Sequence, residues 1–395
     1  MKVGGWPVIA AYALVCAATQ ILWLTYAAIT TETARRYGVS VSAVGWLAEI
    51  FPLLYVVLAI PAGILLDRWF RPTLAAGGAL VALGGVVRLG GETFAWAMAG
   101  QVLVAIAQPV VLSAVSKLAG VYLPADQRAS GISIGSAGNF VGMLLALLLG
   151  PTLGAHGQLE RLLVLEAVLG VIPALALAFV LRRPGHESEE HAANEGSAAR
   201  ALWELPPMRT QCGLVFLGFG IFVALATWLQ TLLHPSHVSE TTAGALLVGM
   251  VIAGIIGCGV LPPLIARRGS ERGFMRSVVL VACGGCVLLG VTPWLGTRAL
   301  ALVAMGVVLL PALPVILTAA EQLAGAAAGT AGAIVWMAGN LGGLVVALLV
   351  QILFHHPLAA FLAMGAVSLL GLPLAARLTS PDAEERSATP AAALS

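Results

Sequence analysis

Twelve times this chain runs for about 20 residues with scarcely a charge, the length a helix needs to cross the hydrocarbon core of a bilayer. The predicted segments are 7–30, 43–66, 73–90, 93–118, 128–152, 160–181, 209–233, 240–265, 274–293, 297–321, 327–354 and 357–378. Charged residues are 10% of the 395 and hydrophobic residues 59%, whereas a soluble domain carries about 25% charged residues. The first segment begins like a signal peptide, with Lys2 ahead of an apolar run. It continues to Thr30, past the roughly 7–15 residues of a signal core, and reads as a retained helix. The expected fold is all-α: a polytopic membrane protein of twelve transmembrane helices.

The second half repeats the first. Ala137-Gly138-Asn139-Phe140-Val141-Gly142 is followed by Ala146-Leu147-Leu148, and 201 positions later come Ala338-Gly339-Asn340-Leu341-Gly342-Gly343 and Ala347-Leu348-Leu349. Gly131 and Gly332 hold the same register. Small residues let membrane helices approach closely, and an amide among them has a partner to bond. Two copies at matching places imply a duplicated unit, so the twelve helices are expected as two pseudo-symmetric six-helix bundles.

Basic residues set the orientation. With the termini cytoplasmic, only Arg35, Arg36, Arg88, Arg161 and Arg298 of the 20 Lys and Arg fall outside. The domain plan is an N-terminal half 1–181, a cytoplasmic linker 182–208, a C-terminal half 209–379 and a disordered cytoplasmic tail 380–395. The linker, with Glu187, Glu189, Glu190 and Glu195 among small residues, reads as flexible or partly helical. The protein is expected in the cell (inner) membrane as a multi-pass monomer, surrounded by lipid bilayer and acting on a small-molecule substrate. No basic tract tracks a phosphate backbone, so nucleic acid is not an expected partner.

The loop after the second segment reads Gly63-Ile-Leu-Leu-Asp67-Arg68-Trp69-Phe70-Arg71. This resembles the cytoplasmic loop signature of the major facilitator superfamily, whose two halves each hold 3+3 inverted repeats. The matching loop of the second half, Pro262-Pro-Leu-Ile-Ala266-Arg267-Arg268, has lost the acid. The resemblance implies that Asp67 latches the inner side by pairing with a basic residue and a helix N-terminus. Lys117 or Arg128 is the candidate basic partner, with Arg68, Arg71 and Glu321 as further gating residues. The simpler reading is a set of topology-setting loop charges.

Three stretches further resemble the feline leukaemia virus subgroup C receptor family, linked to choline, ethanolamine and heme transport. They are Trp23-Leu-Thr-Tyr26 before Tyr37-Gly38-Val39 and Trp46-Leu47; Ala107-Gln108, Ser116-Lys117-Leu118-Ala119-Gly120-Val121-Tyr122 and Gly138-Asn139; and Glu321 with Gly329. The resemblance implies that Trp23 forms one wall of an aromatic site for an ammonium head, with Gln108 and Asn340 at the family's glutamine positions. Asn340 is one methylene shorter. The family's facing tyrosine falls at Val223, which leaves Trp228 or Trp336 as replacements.

The residues themselves carry a reading beside this one. Gln20 and Trp23 share a helix face at i, i+3, and an indole attracts a desolvated cation by about 2 kcal/mol. Gln108 precedes Pro109, where a local break would free carbonyls to line a cavity. Gln20, Gln108, Asn139 and Asn340 are costly facing lipid, so they face a common cavity or bridge helices; for Trp23 the plain alternative is packing or interface anchoring. Three acids lie within apolar segments. Glu49 could pair with Arg35 or Arg36 and is the candidate proton-coupling group; Glu166 reads as interfacial and Glu321 as a gate acid. Cys283-Gly-Gly-Cys286 reads as a small-residue helix face, and His234, His237, His355 and His356 as interfacial residues. No metal or cofactor is expected.

The sequence reads as a solute carrier working by alternating access, moving a choline- or ethanolamine-like compound by facilitated diffusion. The alternative is a proton-coupled symporter or a drug or metabolite exporter. An enzyme would need catalytic groups paired at one depth, and the sequence offers no such pair.

Overall fold

A computed structural model describes residues 5–154, 158–183, 195–353 and 355–378. The described residues form α-helices and no β-strand. In order they are α1 (Trp6–Ala28), α2 (Thr30–Tyr37), α3 (Val41–Arg68), α4 (Phe70–Val87), α5 (Phe94–Tyr122), α6 (Ala125–Leu149), α7 (Leu159–Val180) and α8 (Glu195–Glu204). Then come α9 (Pro206–Leu233), α10 (Glu240–Arg268), α11 (Glu271–Val291), α12 (Leu295–Ala324), α13 (Ala328–Leu353), α14 (Pro357–Leu369) and α15 (Gly371–Ala376).

Eleven candidate membrane spans lie among the described residues, and one of them, Leu295–Leu353, contains both α12 and α13. The turn Gly325–Ala327 divides it, with Gly325 at φ 53°. With α14 and α15 together forming the last span, Pro357–Ala376, that makes twelve candidate spans, six before α8 and six after, each within four residues of its expected ends. Side chains such as Ile172, Leu175, Ile256 and Ile352 stand exposed, Ile352 by 77%. Such a surface is a liability in water and the natural outer face of a helix in hydrocarbon.

One short helix was not expected, α2 beyond the end of α1; α8 lies within the linker, which was read as flexible or partly helical. The linker residues Glu187, Glu189 and Glu190 and the tail 380–395 lie outside the described residues. By internal contacts the chain divides into two units, one of Met1–Ala199 with Ala320–Met337, the other of Arg200–Ala319 with Ala338–Ser395.

In the first unit α1 packs on α3, α5, α6 and α7, while α4 lies against α5 and α7. The α1–α6 crossing is built on glycine. A Cβ added at Gly138 would sit 2.4 Å from the Ala13 carbonyl oxygen, and one at Gly142 2.3 Å from that of Ala17. In the second unit, where α9 packs on α10, α11, α14 and α15, the repeat has the same device. A Cβ at Gly342 would meet the Phe216 oxygen at 2.0 Å, and one at Gly220 the Gly342 oxygen at 2.8 Å. Both crossings depend on backbone contact that any side chain would push apart.

Helix starts repeat as well. Ser40 Oγ accepts from Ala43 N at 3.1 Å to cap α3, and Ser239 Oγ accepts from Thr242 N at 3.1 Å to cap α10. Two residues before each cap the backbone is left-handed: Gly38 at φ 65° in one half and His237 at φ 58° in the other.

Candidate functional site

The α1–α6 crossing buries Gln20 on α1 and Ser136 and Asn139 on α6. Gln20 Oε1, Ser136 Oγ and Asn139 Oδ1 are buried with no hydrogen-bond partner. An acceptor buried in this way costs about 1–3 kcal/mol. Gln108 on α5 and Trp336 on α13 are buried in the same unit. The expected break at Pro109 is absent: α5 runs through it from Phe94 to Tyr122, and the Val111 carbonyl accepts from Tyr12 Oη at 2.7 Å. A helix tolerates one missing N–H where neighbouring helices support it. Asn340 lies half-buried in the second unit, on the α13 face beside Gly339 and Gly343.

Trp23 is half-buried, and both its ring and its backbone are held. Its indole Nε1 donates to the Ala48 carbonyl at 3.0 Å, and its ring lies 5.8 Å from that of Phe51 at 31°. Gln101 Nε2 donates to the Leu47 carbonyl at 2.9 Å and to the Trp23 carbonyl at 3.4 Å. Sequence reasoning passed over Gln101, although it is a mid-segment amide of the same kind as Gln108.

It also misread Arg88 and Glu166. Glu166, expected at the interface, is 2% exposed and pairs with Arg88, 1% exposed, at 3.2 Å. Glu166 Oε2 accepts from Thr25 Oγ1 at 2.7 Å, and Arg88 Nη2 donates to the Leu22 carbonyl at 2.6 Å. Arg88 also lies 5.4 Å above the Tyr26 ring. Two lone opposite charges at similar depth in different segments were the available signal, since such charges pair.

At the other end of the first unit, Asp67 closes α3 against the start of α13. Its Oδ1 accepts from Gly329 N at 2.8 Å; its Oδ2 accepts from Thr330 N at 2.8 Å and from Thr330 Oγ1 at 2.6 Å. These are first-turn N–H groups, free of intrahelical partners and at the positive end of the helix dipole. Gly63 admits the approach, since a Cβ there would lie 2.7 Å from Thr330 Cα. Lys117 Nζ donates to Asp67 Oδ1 at 3.2 Å, to the Asp67 carbonyl at 2.8 Å and to the Ala326 carbonyl at 3.4 Å.

Of the two candidate bases, Lys117 therefore meets Asp67. Arg128 meets Glu321 instead, Nη1 to Oε1 at 3.2 Å. Arg68 is exposed and stacks 4.2 Å from the Trp69 ring centroid, and Arg71 is half-buried.

Glu49 stands exposed on α3. The expected pairing with Arg35 or Arg36 gives way to other partners: Arg35 pairs with Glu32 one turn back on α2, and Arg36 with Glu92 at 2.8 Å. Cys283 is half-buried on α11 and Cys286 buried, both as free thiols. His234, His237, His355 and His356 are exposed at helix ends. No group of three or more His, Cys, Asp or Glu able to hold a metal occurs among the described residues.

The family model described as Major Facilitator Superfamily matches residues 8–347. The chain belongs to that superfamily. This superfamily member is a multi-pass membrane protein. It is 27% identical over 315 residues to solute carrier family 49 member A3 of Danio rerio, covering 75% of the chain and 66% of that protein. It is 24% identical over 322 residues to the choline/ethanolamine transporter FLVCR2 of Homo sapiens, covering 74% of the chain and 60% of the relative. To the choline/ethanolamine transporter FLVCR1 of Felis catus it is 26% identical over 267 residues, 60% of the chain and 47% of the relative. The chain thus spans about half to two thirds of the length of these relatives. Among solved structures it resembles the fucose transporter FucP in its outward conformation, with TM-score 0.75 at 16% identity, over 94% of this chain and 99% of that one. The human organic anion transporter MFSD10 gives TM-score 0.74 at 17% identity, with 94% and 99% covered. At these identities the likeness is one of fold.

Proposed function

We propose that the chain carries a small organic amine or quaternary ammonium alcohol across the membrane by alternating access, as facilitated diffusion. Its two six-helix halves, 1–181 and 209–379, move about a midplane site, with both termini and the linker cytoplasmic and the protein in the inner membrane. The solute's cationic head rests on Trp23, and Gln20, Gln108, Asn139 and Trp336 line the site, with Asn340 the expected contributor from the second half. The observation that carries this reading is the set of buried oxygens, on Gln20, Ser136 and Asn139, that have no donor. A solute bringing O–H or N–H donors would pair with these oxygens. The choline/ethanolamine transporters among the relatives support the same class. Phe51, beside Trp23, supports an aromatic wall supplied from α3 in place of the one missing at Val223.

Isothermal titration of the purified protein with choline and with ethanolamine tests the class. Micromolar to millimolar binding that Trp23→Ala weakens about tenfold or more fits a cation–π term of about 2 kcal/mol. Binding of a neutral or anionic metabolite with Trp23→Ala silent discards the ammonium reading and keeps the transporter.

A proton-coupled cycle is the second reading, favoured by one feature: the Glu49 carboxylate within a spanning helix. Concentrative uptake abolished alike by an uncoupler and by Glu49→Gln would establish it.

A further inference from the structure

We infer that Arg88, Glu166 and Gln101 are positioning residues that set the orientation of Trp23, an inference that rests on the role proposed for Trp23 above. One turn of α1, Leu22 to Thr25, is gripped at three places by side chains from three other helices. Arg88, at the end of α4, donates to the Leu22 carbonyl at 2.6 Å; Gln101 on α5 reaches the Trp23 carbonyl at 3.4 Å; Glu166 on α7 accepts from Thr25 Oγ1 at 2.7 Å. Trp23 sits inside this turn, and its indole N–H is fixed on α3 by the Ala48 carbonyl.

The fold makes room for the grip. A Cβ at Gly100 would lie 2.5 Å from Arg88 Cγ, and one at Gly85 3.2 Å from Ala167 Cα and 3.3 Å from Leu22 Cδ2. Glycine at both places lets the arginine stem pass between α4 and α5 and lets α4 close on α7 and α1. A fully buried ion pair is weak evidence for stability, since an apolar pair of similar volume often does as well. What the charges add is direction. The guanidinium is fixed by Glu166 on one side and spends another N–H on a backbone carbonyl, so α1 can neither rotate nor slide without leaving a buried cation unmatched. Gln101 adds register by bonding the Leu47 and Trp23 carbonyls, which ties α1 to α3 at the height of the indole. A side chain that binds by its ring face needs this support from behind, because a small tilt changes which face a solute meets.

The test uses the full-length protein labelled with 5-fluorotryptophan, its Trp23 resonance assigned by loss in Trp23→Phe. The double substitution Arg88→Met with Glu166→Leu removes both charges together and so avoids stranding either. Its Trp23 fluorine resonance should shift or broaden while the other tryptophans hold. Choline affinity should fall about tenfold, and adding Trp23→Ala should cost nothing further, as expected for coupled positions. Should the double variant fail to fold, Glu166→Gln, which keeps shape and an acceptor for Thr25, gives the same fluorine readout. A lowered melting temperature with an unmoved Trp23 resonance and unchanged choline affinity would make the network merely structural and overturn the inference. If the resonance moves but choline does not perturb it in the parent protein, the positioning stands and the ammonium reading falls.

Discussion

The loop between α3 and α4 and the loop between α10 and α11 occupy the same place in the two halves of the duplicated sequence, yet only one kept its chemistry. In the first, Asp67 is buried and accepts from two first-turn amides of α13, the Thr330 hydroxyl and Lys117. In the second, Ala266, Arg267 and Arg268 are all exposed, and Gly269 turns the chain at φ 57°. The basic residues survive in both because they set topology, which needs charge and no particular partner. Where the acid is present, backbone N–H groups of α13 meet it.

Another acid beside α5 and α6 in the first unit, Glu321, does not reproduce the lost contact. Glu321 pairs side chain to side chain with Arg128, and a Cβ on Gly120 would lie 3.2 Å from its Oε1. By the 201-residue repeat Glu321 answers to Gly120 and Arg128 to Gly329. This pair is more exposed than that of Lys117 with Asp67.

The comparison breaks first at Asp67. Asp67→Ala strands Lys117 and the α13 amides, and removing one partner of a buried pair costs about 3–5 kcal/mol; a large fall in melting temperature is expected. Asp67→Asn keeps the shape and should slow transport while leaving choline affinity within about threefold, because the residue biases conformations without touching solute. Glu321→Gln should cost about 1 kcal/mol or less, as Arg128 retains some exposure and such pairs are weak. A loss there equal to that at Asp67 would erase the asymmetry.

Smaller still is His237→Gly. The left-handed conformation costs a side-chain-bearing residue about 1–2 kcal/mol, so matching Gly38 should raise the melting temperature slightly. Near zero stands Ala266→Asp, which restores the acid at an exposed position and should stay within about 0.5 kcal/mol. On the opposite face, Arg36 holds the Glu92 carboxyl below its usual value of 4.5 by hydrogen bonding and charge. A depressed carboxylate stabilises only while ionised, so the α2 contact should loosen as pH drops below 4.5 through the folded value, visible as a Glu92 carboxyl shift in NMR.

How much of this was legible follows from what each feature depends on. The twelve crossings were readable because charges punctuate them and hydrocarbon demands a fixed length. The glycine crossings were readable because they occur twice. Asp67 was readable from the loop pattern, but the choice between Lys117 and Arg128 was not, since both lie in the same stretch and only the packing of α5 selects Lys117. Arg88 and Glu166 were missed because a charge next to a helix end reads as interfacial when its partner lies 78 residues away. Glu49 was paired wrongly because α2, too short and polar to register as a span, supplies Arg35 with Glu32 instead.

The central claim is that a small ammonium solute moves through a site built on Trp23. Counterflow of radiolabelled choline into proteoliposomes, with the proton gradient collapsed, tests it most directly. Rapid exchange that survives the uncoupler, is lost in Trp23→Ala and is merely slowed in Asp67→Asn is the predicted result. No choline exchange by protein that is folded and active toward another solute, with Trp23→Ala indistinguishable from the parent, would contradict it.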